Sequence, residues 1–102
     1  MAEDLTSANA YPYTKRITLG TAGTVTEVKV SGRPTLATFQ FITNNGKVAT
    51  TGTDATAVGS EYMTVTAGNP IVYTVGKDWR GGSFFLTATV DATVVEVVLE
   101  VE

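Results

Sequence analysis

The sequence predicts an all-β protein: a single small β-sandwich or barrel-like domain of about eight short, mainly antiparallel strands, preceded by an extended N-terminal arm. Three observations support this fold class. The chain has 102 residues, a length typical of one domain. Apolar and polar residues alternate in short runs between turn-forming residues. No stretch sustains the roughly 3.6-residue apolar period of a helix. We therefore predict an arm over residues 1–13 and the β domain over residues 14–102.

The alternating runs divide the domain into eight predicted strands. Within most runs every second residue is apolar, as expected of a sheet with one buried face. The runs recur at intervals of about 8–12 residues, which is typical of sandwiches and barrels. The predicted strands are Thr14–Leu19, Thr24–Ser31, Thr35–Thr43, Lys47–Thr51, Glu61–Thr66, Ile71–Val75, Ser83–Val90 and Thr93–Val101.

Two features of the middle of the chain give more specific predictions. In Thr35–Thr43, Phe39 and Phe41 lie on one face and Leu36 and Ile42 on the other, which predicts a strand covered on both faces. After it, Asn44-Asn45-Gly46 has the composition of a type I′ hairpin turn, so the next strand is predicted to return alongside. The polar stretch Gly52–Ser60 is predicted to be a mobile surface loop.

The first residues form a segment of a different kind. Residues 1–10 are small and polar, and Leu5 is the one large apolar side chain after Met1. Pro12 fixes its own φ and favours extended geometry at Tyr11. Such an arm becomes ordered by packing on a neighbouring subunit or back on its own domain. Its acids stand where a signal peptide needs basic residues, so we expect no signal peptide.

Composition argues against several classes of partner. The net charge of −3 is unsuited to a nucleic-acid binder, which needs a basic face to neutralise phosphates. No window approaches the about 20 apolar residues of a membrane-spanning helix, so no membrane is expected. Charged residues make up 17% of the chain, against about 25% in an average soluble domain. This deficit fits a threonine-rich solvated sheet face or a surface covered by other subunits.

Catalysis is not expected. The chain has neither Cys nor His, so the usual pairs of nucleophile and base cannot be built. Carboxylates remain as acid–base groups, but they lie mostly in predicted turns or on outward strand positions and form no calcium-loop motif. We therefore expect no catalytic residue, no cofactor and no metal. The carboxylates considered are Asp54, Glu61, Asp78, Asp91, Glu96, Glu100 and Glu102.

Trp79 is the most distinctive candidate for binding. It lies between Asp78 and Arg80 in a loop bounded by glycines. An exposed Trp beside a charge pair can stack on a sugar or anchor an interface together with arginine. Alternatively, the ring folds back and caps one end of the core. The full set of predicted interface residues is Tyr11, Pro12, Tyr13, Arg33, Trp79 and Arg80.

Three segments carry a resemblance to a known class of protein. The run Thr64–Val75, the segment Gly81–Thr87 and the acidic ending Val94–Glu102 resemble small virion proteins of tailed bacteriophages. They are similar in particular to capsid decoration (cement) proteins. The resemblance implies a homo-oligomer, with a trimer favoured, that binds the major capsid protein on the outer head shell and stabilises the shell by bridging capsomers. Such a protein is made in the host cytoplasm and resides on the virion head.

Two other functions stay open. One is a carbohydrate- or receptor-binding β module of a phage fibre or tail, which would use Trp79 and the tyrosines. The other is a different non-enzymatic virion part, such as a head-fibre base or a tail-associated ring subunit. Under the decoration hypothesis, deletion of residues 1–13 is expected to leave the fold intact and weaken capsid attachment.

Overall fold

The computed structural model describes residues 2–7, 10–50, 62–75 and 78–101. It confirms the all-β prediction, because the described residues contain nine strands and no helix. The predicted loop Gly52–Ser60 lies outside the described residues. The strands are β1 Ala2–Asp4, β2 Tyr13–Leu19, β3 Thr26–Ser31, β4 Leu36–Phe41, β5 Gly46–Ala49, β6 Tyr62–Val65, β7 Ile71–Thr74, β8 Gly81–Ala88 and β9 Thr93–Glu100.

The strands form two sheets that pack face to face as a sandwich. The five-stranded sheet has the order β1-β3-β8-β5-β6, and the four-stranded sheet has the order β2-β9-β4-β7. Strand pairing is antiparallel except between β1 and β3, which run parallel. Among the described strands, β5 and β6 are the only two that are successive in sequence and also paired. The other connections cross between the sheets.

The core lies between the sheets and consists mainly of side chains that the alternation predicts to point inward. Three residues of the same predicted faces, Met63, Val90 and Val101, are instead exposed, because they lie on an edge strand or beyond a strand end. Phe39 and Phe41 of β4 have no exposed surface. Burying a side chain of this size contributes about 1.5–3 kcal/mol. The predicted inward residues that are buried are Ile17, Leu19, Val28, Val30, Phe39, Phe41, Val65, Phe84, Leu86, Ala88, Val95, Val97 and Leu99.

The prediction that β4 is covered on both faces is wrong for the described chain. Leu36 is half-buried, and Ile42, just beyond the strand, is 39% exposed. The physical reason is that a two-layer sandwich leaves one face of each sheet outside. Of the β4 side chains, Ala37, Phe39 and Phe41 reach the core, and the alternate ones do not.

The hairpin predicted at Asn44-Asn45-Gly46 is also wrong. β4 and β5 belong to different sheets, and neither Asn45 nor Gly46 has the positive φ of a type I′ turn. Gly46 is needed for a different reason, since a Cβ there would lie 1.9 Å from Cε2 of Phe41. Asn45 accepts a hydrogen bond through Oδ1 from the Ala67 N–H at 2.8 Å. Gly46 is thus required for close packing against Phe41. The segment from β4 to β5 crosses from one sheet to the other.

The N-terminal segment packs back on its own domain within the described residues 2–7. Strand β1 adds to the edge of the five-stranded sheet, and the Leu5 N–H donates to the Lys29 carbonyl at 2.8 Å. The Leu5 side chain is only 3% exposed and belongs to the core. Deleting residues 1–13 would therefore remove a core side chain, and we no longer expect the fold to be unaffected.

Candidate interaction surface at one end of the sandwich

The six predicted interface residues meet at one end of the sandwich. Strands β2, β4 and β8 begin there, and β3, β7 and β9 end there, as their registers show. Only a short segment, residues 32–35, joins the end of β3 to the start of β4, so both sheets contribute to the same end. We call this surface the arginine end and define it by Tyr11, Pro12, Tyr13, Arg33, Trp79 and Arg80.

Tyr11 and Arg33 come together from distant parts of the sequence. The guanidinium carbon of Arg33 lies 5.7 Å from the centroid of the Tyr11 ring, within the range of a cation–π contact. Tyr11 is half-buried and packs against the core, whereas Arg33 is exposed. Next to Arg33, Pro34 is fully buried. The contact holds Arg33 over the Tyr11 ring, which in turn packs against the core.

Two glycines hold the loops of Arg33 and Arg80 against each other. A Cβ on Gly32 would lie 2.8 Å from the carbonyl carbon of Arg80, and one on Gly81 would lie 3.0 Å from the Gly32 nitrogen. Gly81 also has φ +98°, which side chains rarely adopt. The two backbones therefore touch, so Arg33 and Arg80 project from adjoining loops. Sequence reasoning missed this role, for which the signal was a glycine directly before Arg33 and another directly after Arg80.

Trp79 caps the core at the arginine end. Its ring is half-buried and lies 6.4 Å from the Phe84 ring, with 46° between the planes. Phe84 in turn contacts Phe39 at 5.0 Å and Tyr73 at 5.1 Å, so Trp79 extends the aromatic cluster of the core. The structure thus places Trp79 as a cap that keeps part of its surface exposed.

The exposed part of the arginine end combines charge with apolar surface. Arg33, Arg80 and Asp78 are exposed, and so is the large apolar side chain of Val101, which follows the end of β9 at the same end of the sandwich. Aromatic and arginine side chains next to apolar surface are typical of protein interfaces. This arrangement is suited to binding.

The described carboxylates make contacts at separate places in the fold. Asp91 accepts a hydrogen bond from the Ala22 N–H at 2.7 Å, and Glu96 pairs with Arg16. No group of three acidic side chains that would hold a metal occurs among the described residues. Asp54, Glu61 and Glu102 lie outside them. The same part of the chain has no helix long and apolar enough to cross a bilayer.

Comparisons of the chain with protein-family models, with curated proteins and with solved structures found no match. Its function is therefore inferred from its own residues.

Proposed function

We propose that this chain is a structural virion protein without enzymatic activity: a capsid decoration (cement) protein that binds the outer head shell and bridges capsomers. The observation that carries the proposal is the arginine end. It gathers aromatic and arginine side chains from three separate segments onto one surface. The resemblance of three segments of the sequence to decoration proteins supports the same function.

The geometry of the arginine end favours binding to a protein surface. Gly32 and Gly81 fix the two arginine-bearing loops by backbone contact, and Trp79 is held by Phe84. Little conformational freedom of these loops is then lost on binding, which lowers the entropic cost of attachment. The exposed arginines are suited to carboxylates on the partner, which we take to be the major capsid protein.

Co-sedimentation with empty, expanded head shells of the phage that encodes the chain tests this proposal. The wild-type protein is expected to bind at a fixed ratio to capsid subunits. The double variant Arg33→Ala, Arg80→Ala is expected to bind at least about tenfold more weakly, since buried arginine contacts are often interface hot spots. Arg16→Ala is the matched control, because Arg16 is also exposed but lies outside the arginine end. A wild-type protein that stays in the supernatant would contradict the proposal.

A second candidate function is carbohydrate or receptor binding by a fibre or tail module. It is favoured by the half-exposed Trp79 ring between the exposed Asp78 and Arg80. Binding of the isolated protein to a glycan array, lost in Trp79→Ala and kept in Trp79→Phe, would favour this function. The phenylalanine variant keeps an aromatic ring against Phe84 and so controls for misfolding. Sedimentation with tails instead of heads would indicate another virion part.

A further inference from the structure

The edge strands of the two sheets differ in their charge. On one side of the sandwich, β1 contains Glu3 and Asp4, and β2 contains Lys15 and Arg16. On the other side, β6 (Tyr62–Val65) and β7 (Ile71–Thr74) contain no charged residue. Charged side chains on an edge discourage pairing with another chain, because the edge otherwise exposes unpaired backbone groups. Among the described strands, one side of the sandwich is thus protected, and the side of β6 and β7 carries no charge that would discourage pairing.

The backbone of β7 is oriented for an additional strand. The Val75 N–H donates to the Thr35 carbonyl of the neighbouring strand at 2.9 Å, which sets the phase of hydrogen bonding along β7. Because this phase alternates, the N–H and C=O groups of Val72 and Thr74 point away from β4, toward the free edge. No described strand lies beside these two donors and two acceptors, because β7 ends the order of its sheet.

The edge strands β6 and β7 are uncharged, and each exposes one large apolar side chain. Val72 is 54% exposed, and Met63 on the adjacent edge strand β6 is 52% exposed. On the outer face of the four-stranded sheet, Val72 begins a row that continues through Thr38, Val98 and Thr14. This row has no charged member, so an additional strand at β7 would extend an uncharged surface.

We infer that a second copy of this chain pairs with β7, antiparallel and about a twofold axis, with Val72 opposite Thr74 of the second copy. Each copy contributes two N–H and two C=O groups, and this register joins them in four hydrogen bonds. A register centred on Val72 would instead set Thr74 opposite Pro70 of the second copy, which has no N–H to donate. The first register therefore uses the whole free edge.

Twofold pairing of β7 with β7 of a second copy fits this edge better than pairing with β2 of another copy. Twofold pairing of β7 brings no like charges together, since the strand carries none. Pairing of β7 with β2 of another copy would enclose Lys15, which points toward the interior side of that edge and is half-buried. Twofold interfaces also close after two subunits and are the commonest in oligomers.

Sedimentation velocity or light scattering on the full chain tests the pairing. The wild type is expected at twice 10.7 kDa, about 21 kDa. Two double variants test the register, and they differ from each other only in the residue at position 74. Val72→Lys with Thr74→Lys sets like charges opposite each other and is expected to raise the dimer dissociation constant at least about tenfold. Val72→Lys with Thr74→Glu sets opposite charges there and is expected to stay within about threefold of wild type.

Thr14→Lys is the matched control, because Thr14 is an exposed position at the other end of the same row. It is expected to leave the dimer unchanged. A urea unfolding midpoint close to wild type in each variant shows that the fold persists, since both substituted positions of β7 are exposed.

Three results would overturn the inference: a wild-type mass of 10.7 kDa up to about 1 mM, a mass of three chains, or equal effects of the two double variants. The inference concerns self-association and does not rest on the proposed virion role. A trimer that still co-sediments with head shells would remove the β7 pairing and leave the decoration function standing. A dimer that does not co-sediment with head shells would leave the β7 pairing standing and remove the decoration function.

Discussion

Replacing Gly46 by alanine perturbs the closest packing contact that the structure shows for a glycine. An ideal Cβ at this position would lie 1.9 Å from Cε2 of Phe41 and 2.6 Å from Cδ2 and Cζ of the same ring. Real Cβ atoms essentially never lie closer than 3.0 Å to such a neighbour, so the ring or the strand must move by at least 1.1 Å (3.0 − 1.9). Phe41 is fully buried, and protein interiors leave no free space for such a shift.

The cost of this shift is expected at the upper end of the range for overpacked cores. Adding one carbon to a packed core typically costs about 1–3 kcal/mol, and here the displaced atoms belong to a rigid ring. We therefore expect Gly46→Ala to lower the free energy of unfolding by about 3 kcal/mol. For a domain of this size that corresponds to a fall in Tm of about 12 °C or more.

Urea unfolding followed by circular dichroism measures the effect, with Gly20→Ala as the matched control. A Cβ on Gly20 meets nothing within 4 Å, and its φ is not positive. This control is expected to change stability by less than about 1 kcal/mol, because alanine there mainly restricts the unfolded chain. In a Phe41→Leu background, most of the ring is gone, so the further cost of Gly46→Ala is expected to fall below about 1 kcal/mol.

Two outcomes would refute this reasoning. One is a Gly46→Ala protein within about 0.5 kcal/mol of wild type, the usual range for surface substitutions. The other is a cost that is the same with Phe or Leu at position 41, which would show that the ring is not the obstacle. Either result would mean that the contact between Gly46 and Phe41 does not restrict the packing.

Three further predictions concern other parts of the fold. Leu5→Ala is expected to lower the free energy of unfolding by about 2–4 kcal/mol, whereas Ser7→Ala, at an exposed position in the same segment, is expected to be neutral in urea unfolding. Burial raises the pKa of the Tyr73 hydroxyl above its ordinary value of 10.0. The folded state then holds this proton more tightly, so stability is full below pH 10 and falls as the pH rises further. Tyr73→Phe is expected to reduce that fall in unfolding titrations from pH 8 to 11, and an identical profile would contradict it. Arg16→Ala is expected to cost less than about 1 kcal/mol, since the Arg16 side chain in its ion pair with Glu96 is 68% exposed; a larger loss in thermal unfolding would contradict this.

Each of the eight predicted strands is present in the structure, because alternation of apolar and polar residues is a local signal. The last strand, predicted over Thr93–Val101, is observed over Thr93–Glu100 with every second residue buried. The first strand, β1, was missed. Its sequence Ala-Glu-Asp carries no apolar alternation, and the neighbouring Leu5 was the only sign that the segment reaches the core.

The sequence predicted individual residues of the candidate surface but not that they lie together. Trp79 and Arg33 stood out by residue type and by their glycine and proline neighbours. Their meeting at one end depends on which strands begin and end there, and no local pattern specifies that. The backbone contact between Gly32 and Gly81, which holds the two loops together, likewise joins residues far apart in sequence.

The sequence by itself determined the fold class, the positions of eight strands and most of their inward faces, since these follow from backbone geometry and hydrophobic period. The tertiary structure alone decided which strands pair. Asn45-Gly46 favours a hairpin locally, yet this segment crosses between the sheets and Gly46 packs under the Phe41 ring. Pairing depends on how whole faces fit together in the core, and that contribution outweighs the preference of a single turn.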